Sequence, residues 1–357
     1  MNEILKNEII ALCSVMSVSG FEPRSADLLR QSVGNHFDET MTDAVGNHIF
    51  WKRSQNPSAP TVLIDAHFDE IGMVVTKHLE NGFLKLAPVG GLSPSVLQGA
   101  DVVVYGTETL RGVIVSTPPH LRSGGDDRLP DLADLMVDTG YSTEELKTIA
   151  PVGTPVGFAP HYSQLSGDCL AGKSFDNKAC AAIAAYAIAH TPKERLAANV
   201  ALLFSCYEET SPTGGAAVAT FGIEPDYAMV IDVNLATVPD TPKSETVPLG
   251  KGVSLSLSAA TDRRLTRMTR ALCENREIPH TVIASPASTG TNATAVNLVK
   301  GGVPVVDVGL PLRNMHTYNE VISMTDAEAL FRLVEQFICS DLLAQTFGGD
   351  GREELPQ

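Results

Sequence analysis

Four short apolar runs constrain the fold of this chain more than any other feature of its sequence. They are rich in β-branched residues, and each is too short to form a typical buried helix. Continuous apolar runs of this length are typical of strands that are buried on both faces of a sheet. The four runs lie at 61–65 (TVLID), 200–205 (VALLFS), 227–232 (YAMVID) and 303–308 (VPVVDV).

Segments with helical periodicity lie between or after these runs. They cover residues 176–191, 262–276 and 325–346, and an amphipathic segment at the N-terminus predicts a surface helix. We expect Thr325 to cap the last of these helices, because acidic residues follow it in the first turn. The alternation of strands and helices predicts a three-layer α/β fold, in which a mostly parallel sheet is covered on both faces.

The stretch between about residues 76 and 164 has a different character. Three β-like runs, FLKLAPV, ADVVVYG and LRGVIVS, are separated by glycine and proline, and helical periodicity appears only near 142–147. We therefore predict a small β-rich insertion domain at 76–164, within a discontinuous catalytic domain formed by 1–75 and 165–357. The polar segment after Glu353 has the composition of a disordered tail.

The composition disfavours several classes of protein. Acidic residues outnumber basic ones by 42 to 26, and a net charge of −16 disfavours binding to nucleic acid or to an anionic membrane surface. No uninterrupted apolar stretch reaches the ~18 residues of a membrane-spanning helix, and the N-terminus lacks the apolar core of a signal peptide. The six cysteines are scattered without a CxxC pair, which is typical of reduced thiols in a cytoplasmic protein.

Polar residues directly follow the first predicted strand. Ligands of an open α/β sheet bind beyond the carboxyl ends of its strands, so His67 and Asp69 are candidates for a site. The two residues share a face if the chain is still extended there. Asp69 could then accept the second ring N–H of a metal-bound His67 and fix its tautomer, although a capped strand end would show the same pattern.

Two adjacent carboxylates, Glu208 and Glu209, follow the second strand. Such a pair is costly at the mouth of a buried strand unless a positive charge lies beside it, and a metal ion supplies that charge. A solvated acidic loop is the alternative. Adjacent residues rarely flank a scissile bond as the two carboxylates of a glycosidase must, so a metal ligand beside a general base is the more natural division of roles.

Three further residues occupy similar positions. Asp232 ends the third strand, Asp176 opens an alanine-rich helix, and His316 lies just beyond the fourth strand. Taken singly, Asp176 is typical of an N-cap and His316 of a loop. Together with His67 and Glu209, however, they place five potential ligands at one edge of one sheet, and this shared placement favours a metal site.

The segments that contain these residues resemble those of a known family. They occur in the order found in the metal-dependent aminopeptidases of family 42, which include bacterial glutamyl aminopeptidases, archaeal deblocking and tetrahedral aminopeptidases, and proteins once labelled endoglucanase M. The resemblance covers nearly the whole chain, and the combination of motifs is highly specific. The matching segments are AHFDEIGMVV, PVGGLSPSVLQGADVVV, GVIVSTPPHL, GKSFDNKACAA, YEETSPTGGAA, VIDVNLA and RNMHTYNEV.

The resemblance implies an enzyme that hydrolyses the N-terminal residue from peptides with two divalent metal ions per subunit. Zinc or cobalt suits histidine and carboxylate ligands, with manganese as an alternative. The implied ligands are His67, Asp176 and Asp232 for one ion, and Asp176, Glu209 and His316 for the other.

The resemblance also implies the remaining roles in the site. Glu208 would be the general base that acts on a water between the two ions, and Asp69 would be the carboxylate that orients a ligand. A non-proline cis peptide bond is expected between Asp176 and Asn177. The segment 76–164 would be a dimerisation domain, and dimers would assemble into a homo-oligomer of twelve subunits.

Three departures from the family pattern lie near these residues. Asn177-Lys178 replaces the usual Asp-Arg, Asn292 replaces an aspartate, and Thr317-Tyr318 replaces a Ser-Pro that follows the last histidine. None removes an implied ligand, but they change the charge near the site and could reshape a loop. Two alternatives therefore stay open, namely an oligomeric scaffold with weakened catalysis and a related deacylase that acts on small amides.

Overall fold

A computed structural model of the chain describes residues 2–118, 121, 131–211, 214–285 and 288–340. The helices are α1 (Asn2–Cys13), α2 (Ala26–Ser32), α3 (Thr143–Ile149), α4 (Phe175–His190), α5 (Gly214–Ile223), α6 (Arg263–Asn275), α7 (Ala293–Asn297) and α8 (Met324–Ile338). The strands are β1 (Glu39–Thr42), β2 (His48–Lys52), β3 (Thr61–His67), β4 (Gly72–His78), β5 (Phe83–Val89), β6 (Asp101–Tyr105), β7 (Thr109–Ser116), β8 (Leu135–Asp138), β9 (Pro155–Phe158), β10 (Tyr162–Gln164), β11 (Cys169–Gly172), β12 (Asn199–Ser205), β13 (Tyr227–Leu235), β14 (Val253–Ser258), β15 (His280–Ser285), β16 (Val305–Leu312) and β17 (Glu320–Ser323).

An eight-stranded mixed sheet forms the centre of the molecule, in the order β1-β2-β12-β3-β13-β16-β14-β15. The four apolar runs of the sequence form its neighbouring strands β12, β3, β13 and β16, which are mutually parallel. These strands are buried along most or all of their length, as expected for a sheet that is covered on both faces. The prediction of a mostly parallel central sheet is therefore confirmed.

Helices cover both faces of this sheet. Alternate residues of β3 point to opposite sides. Val62 and Ile64 belong to the apolar core that includes residues of α1, α4, α6 and α8, whereas Leu63 belongs to the core that includes residues of α5 and α7. The alanine-rich helix α4 is almost entirely buried, because it lies between the sheet and the helices α1 and α8. These three layers confirm the predicted α/β class.

The β-rich insertion is a closed barrel of six strands in the order β4-β5-β8-β7-β6-β9. Its strands run from Gly72 to Phe158, and its interior is a separate apolar core that includes Met73, Leu84 and Val104. The short helix expected near 142–147 is α3. Beyond the barrel, β10 joins β11 and β17 in a small antiparallel sheet.

The last helix differs from its prediction in both its cap and its length. Thr325 is not the N-cap, because α8 begins at Met324 and the Ser323 hydroxyl accepts hydrogen bonds from the Thr325 and Asp326 amides. The helix ends at Ile338. Residues 341–346 of the predicted helix, and the expected tail after Glu353, lie outside the described residues.

Among the described residues, no helix has both the length and the apolar character needed to cross a membrane. The six cysteines are all free thiols, and four of them are buried.

Candidate metal centre

The parallel strands bring the predicted site residues to one edge of the sheet. His67 is the last residue of β3 and pairs with Ser205, the last residue of β12. Asp232 lies two residues beyond Val230 on β13, and Val230 pairs with Asp65, which lies two residues before His67. Asp232 and His67 are therefore level on adjacent strands, at the carboxyl end where ligands of such sheets bind.

Three buried side chains form the first group of candidate ligands. His67 Nε2 lies 3.1 Å from Asp176 Oδ1 and 3.6 Å from Asp232 Oδ1. One ligand atom from each of the three residues lies within 4.8 Å of the other two. We call His67, Asp176 and Asp232 the inner group.

The second group shares Asp176 and is less buried. His316 Nε2 lies 3.4 Å from Asp176 Oδ2 and 3.3 Å from Glu209 Oε2. The two carboxylate oxygens of Asp176 therefore face different histidines. The His316 side chain is 35% exposed, compared with 2% for His67. We call Asp176, Glu209 and His316 the outer group. The peptide bond that follows Asp176 is cis, which confirms the prediction.

The electrostatics of these groups favour bound cations. Burial raises the pKa of Glu209 well above its usual range, and the neighbouring Asp176 adds to the effect. Burial also raises the pKa of Asp232, and it raises that of Glu208 to about 8 although His67 opposes it. Glu209 Oε1 is buried and has no hydrogen-bond partner among the residues that the structure describes. Crowded, buried carboxylates with an unpaired oxygen fit divalent cations, which neutralise their charge.

Asp69 fixes the corner that carries the two glutamates. Its buried carboxylate accepts hydrogen bonds from the amide of Glu208 at 3.1 Å and from the amide of Glu209 at 3.0 Å. His67 Nδ1 lies 3.0 Å from the main-chain carbonyl oxygen of Asp69 and 3.5 Å from its carboxylate oxygen Oδ1. Asp69 thus contacts the histidine and both glutamates.

Comparison with known proteins identifies the family of the chain. The family profile described as M42 glutamyl aminopeptidase matches residues 46–333. This chain belongs to that family. Its members are aminopeptidases, which are peptide hydrolases, and the family implies the use of divalent metals.

Individual M42 and related proteins resemble the chain over nearly its full length. The lysyl aminopeptidase of Pyrococcus furiosus is 30% identical over 330 residues, which are 90% of this chain and 93% of that protein. The aminopeptidase APDkam598 of the archaeon Desulfurococcus kamchatkensis superimposes with a TM-score of 0.89 at 26% identity and covers 99% of both chains. The dodecamer PhTET1-12s superimposes with a TM-score of 0.79 at 26% identity, over 95% of this chain and 98% of that one.

The departures at positions 177 and 292 do not alter the ligand groups of this M42 chain. The side-chain amide of Asn177 donates a hydrogen bond through Nδ2 to the Ile231 carbonyl at 2.8 Å. The side-chain amide of Asn292 donates hydrogen bonds through Nδ2 to Asp65 Oδ2 at 3.0 Å and to Ser205 Oγ at 2.9 Å. Both side chains therefore form hydrogen bonds to the strands that carry His67 and Asp232, and neither is one of the five candidate ligands.

Lys178, which belongs to the same departure as Asn177, is part of a buried ion cluster beside the inner group. Glu70 Oε2 lies 3.0 Å from Lys178 Nζ and 2.7 Å from Lys173 Nζ, and all three side chains are buried. Although burial opposes it, the two lysines lower the pKa of Glu70 to about 2. The lysines flank Asp176 along the chain, so the cluster braces the segment that carries the shared ligand.

Sequence reasoning did not identify Glu320 as part of the site. This buried carboxylate accepts a hydrogen bond from the Asp176 amide at 3.1 Å through one oxygen, and from the His316 amide at 3.2 Å through the other. It therefore links the main chains of two outer-group residues. The available signal was its position four residues after His316, within a segment that matches the family.

Proposed function

We propose that this M42 family member is a two-metal aminopeptidase that removes the N-terminal residue from peptides. The observation that carries the proposal is the placement of Asp176, because each of its carboxylate oxygens faces a separate histidine. In this proposal the inner group would hold one ion and the outer group the other, and Asp176 would serve as a ligand in both groups. Two histidines with carboxylates suit zinc or cobalt, with manganese as an alternative.

The proposed chemistry divides between the ions and the side chains. When bound, two divalent ions would polarise the scissile carbonyl, lower the pKa of the attacking water and favour the ionised form of Glu208. Glu208 would take the proton from the water and return it to the leaving amine. Its carboxylate is suitably placed, since Glu208 Oε2 lies 3.9 Å from His67 Nε2 at the side of the inner group.

Other residues would orient the base and restrict the substrate. Asp69 would keep Glu208 and Glu209 in separate roles, because it fixes the main-chain amides of both. The free α-amino group of a peptide is a cation, and the carboxylates around the site would attract it. Cleavage would then be confined to the first peptide bond.

We further propose that segment 76–164 is a dimerisation domain and that dimers build a shell of twelve chains. The closed barrel provides a separate folded surface for this contact, and the PhTET1-12s relative is a dodecamer. Light scattering of the metal-loaded protein at micromolar concentration should give about twelve times the chain mass of 37.9 kDa. A monomer under these conditions would show the assembly proposal to be wrong.

The activity can be tested with substrates that differ at the N-terminus. We expect chromogenic leucine, glutamate or lysine amides with a free amino group to be cleaved by metal-loaded protein, and N-acyl amino acids to be left intact. Chelation should abolish turnover, and zinc or cobalt should restore it. Cleavage of acylated substrates alone would favour a deacylase. Metal binding without turnover on any substrate would favour a scaffold.

A further inference from the structure

The loop that carries His316 has an unusual backbone. Asn314 and His316 adopt φ angles of 60° and 59°, in the left-handed region that side-chain-bearing residues rarely adopt. His67 and Asp232, by contrast, lie on strands of the sheet. Contacts from outside the loop are therefore needed to keep His316 directed at the other outer-group residues.

Aromatic residues at the exit of the barrel supply such contacts. The ring of Tyr318 packs on that of His161, with centroids 4.0 Å apart, and on that of Phe158 at 5.5 Å. His161 Nε2 also lies 2.6 Å from Asn319 Oδ1. Phe158 ends β9, and His161 lies in the link from the barrel to β10. The barrel exit thus holds the two residues that follow Thr317 in the loop.

A second part of the barrel approaches the other ring nitrogen of His316, Nδ1, and limits where the ring can lie. A Cβ atom at Gly91, in the connection after β5, would lie only 2.8 Å from His316 Nδ1. Since His316 Nε2 faces Asp176 and Glu209, Nδ1 faces the barrel. The His316 ring is therefore confined between Gly91 on one side and the carboxylates of Asp176 and Glu209 on the other.

We infer that Tyr318 and His161 are positioning residues for the outer group, acting through His316. This inference rests on the proposed role of His316 as a ligand. It also gives a function to the Thr317-Tyr318 departure, since a proline at 318 has no aromatic ring to pack on that of His161. Contacts that orient a metal ligand commonly change metal affinity by ~10–100-fold when they are removed.

Metal titration of the metal-free full-length protein tests the inference without relying on turnover. Zinc binding should be measured for the wild type, Tyr318→Ala, Tyr318→Phe, His161→Ala and the double alanine variant. We expect Tyr318→Ala to weaken one of the two binding events by ~10–100-fold and to leave the other unchanged. Tyr318→Phe keeps the ring and should bind like the wild type.

The double variant and a matched control sharpen the test. Because the same ring contact is removed in each alanine variant, the double variant should lose less affinity than the sum of the two single losses. Tyr141→Ala, which removes an exposed tyrosine elsewhere in the barrel domain, should leave both binding events unchanged. Tyr318→Leu keeps apolar bulk without the ring, and it replaces Tyr318→Ala if that variant does not fold.

Wild-type affinity for both ions in folded Tyr318→Ala or Tyr318→Leu would overturn the inference. Equal weakening of both ions would also overturn it, because the effect would then not act through His316. A wild-type protein that binds fewer than two ions, or cleaves no peptide substrate, would instead contradict the proposed function. The metal stoichiometry and peptide cleavage of the wild type test the proposed function, whereas the metal affinities of the variants test the inference.

Discussion

The inner and outer groups share Asp176, yet the protein positions them in different ways. In the inner group, His67 and Asp232 lie on adjacent parallel strands and are buried. In the outer group, Glu209 and His316 lie on loops that are held by hydrogen bonds, aromatic contacts and the barrel. Ligands on strands are positioned more precisely than ligands on loops. We therefore expect the inner group to bind its ion more tightly and the outer group to exchange its ion more readily.

The largest expected effect separates catalysis from metal binding. Glu208→Gln keeps the shape of the side chain but cannot accept a proton, so turnover should fall by ~10²–10⁴-fold with two ions still bound. Glu209→Gln should instead weaken binding of the outer ion, and some activity should return at high metal concentration. Metal content and turnover, measured side by side, check both variants.

Two results would contradict this division of roles. Near-normal turnover of Glu208→Gln would show that Glu208 is not the base. Loss of metal in Glu208→Gln, together with full metal content and no activity in Glu209→Gln, would show that the roles are reversed.

A large effect on stability is expected at the ion cluster beside the inner group. Glu70→Gln leaves Lys173 and Lys178 buried without their carboxylate, which should lower the free energy of unfolding by ~3–5 kcal/mol at neutral pH. Denaturant unfolding measures the difference. Glu80→Gln, at an exposed position, is the matched control and should change stability little.

The same cluster predicts a pH dependence. The pKa of Glu70 is lowered from 4.5 to about 2, so its charge stabilises the folded state fully above pH 4.5. This contribution should be lost as the pH falls from 4.5 towards 2, where the folded-state carboxylate gains a proton. The stability difference between wild type and Glu70→Gln should shrink over that interval. A difference that stays constant would contradict the proposed charge interaction.

A smaller effect is expected where the barrel meets the outer group. Gly91→Ala places a methyl group 2.8 Å from His316 Nδ1, so the ring must move away from its position. We expect about tenfold weaker binding of the outer ion and unchanged binding of the inner one. Gly301→Ala is the control, because a Cβ atom there would meet no atom of the described part of the chain within 4 Å. Equal affinities in Gly91→Ala and wild type would show that Gly91 does not limit the position of the His316 ring.

The features that the sequence predicted well are those with a local pattern. The buried strands are continuous apolar runs, and the carboxyl ends of parallel strands must meet at one edge, which is why His67 and Asp232 could be placed near each other. The insertion was predicted as β-rich but not as a barrel. Its closure depends on β9 pairing with both β4 and β6, and partners so distant along the chain leave no local pattern.

Other features depend on contacts between distant segments or on a shift of a few residues. Glu320 accepts from the Asp176 amide 144 positions earlier, so nothing in its own neighbourhood predicts the contact. The cap of α8 was placed two residues too late, because Ser323 and Thr325 are both suitable caps and only the folded chain distinguishes them. The sequence indicated which residues could be ligands or caps, whereas their hydrogen-bond partners are defined only by the folded chain.

Anomalous diffraction from crystals of the zinc-loaded protein tests the central claim most directly. The account predicts two anomalous peaks per chain. One should lie among His67, Asp176 and Asp232, the other among Asp176, Glu209 and His316, with Asp176 bound to both ions. A single peak in fully loaded crystals, or two peaks of which one is not bound by Asp176, would contradict the account.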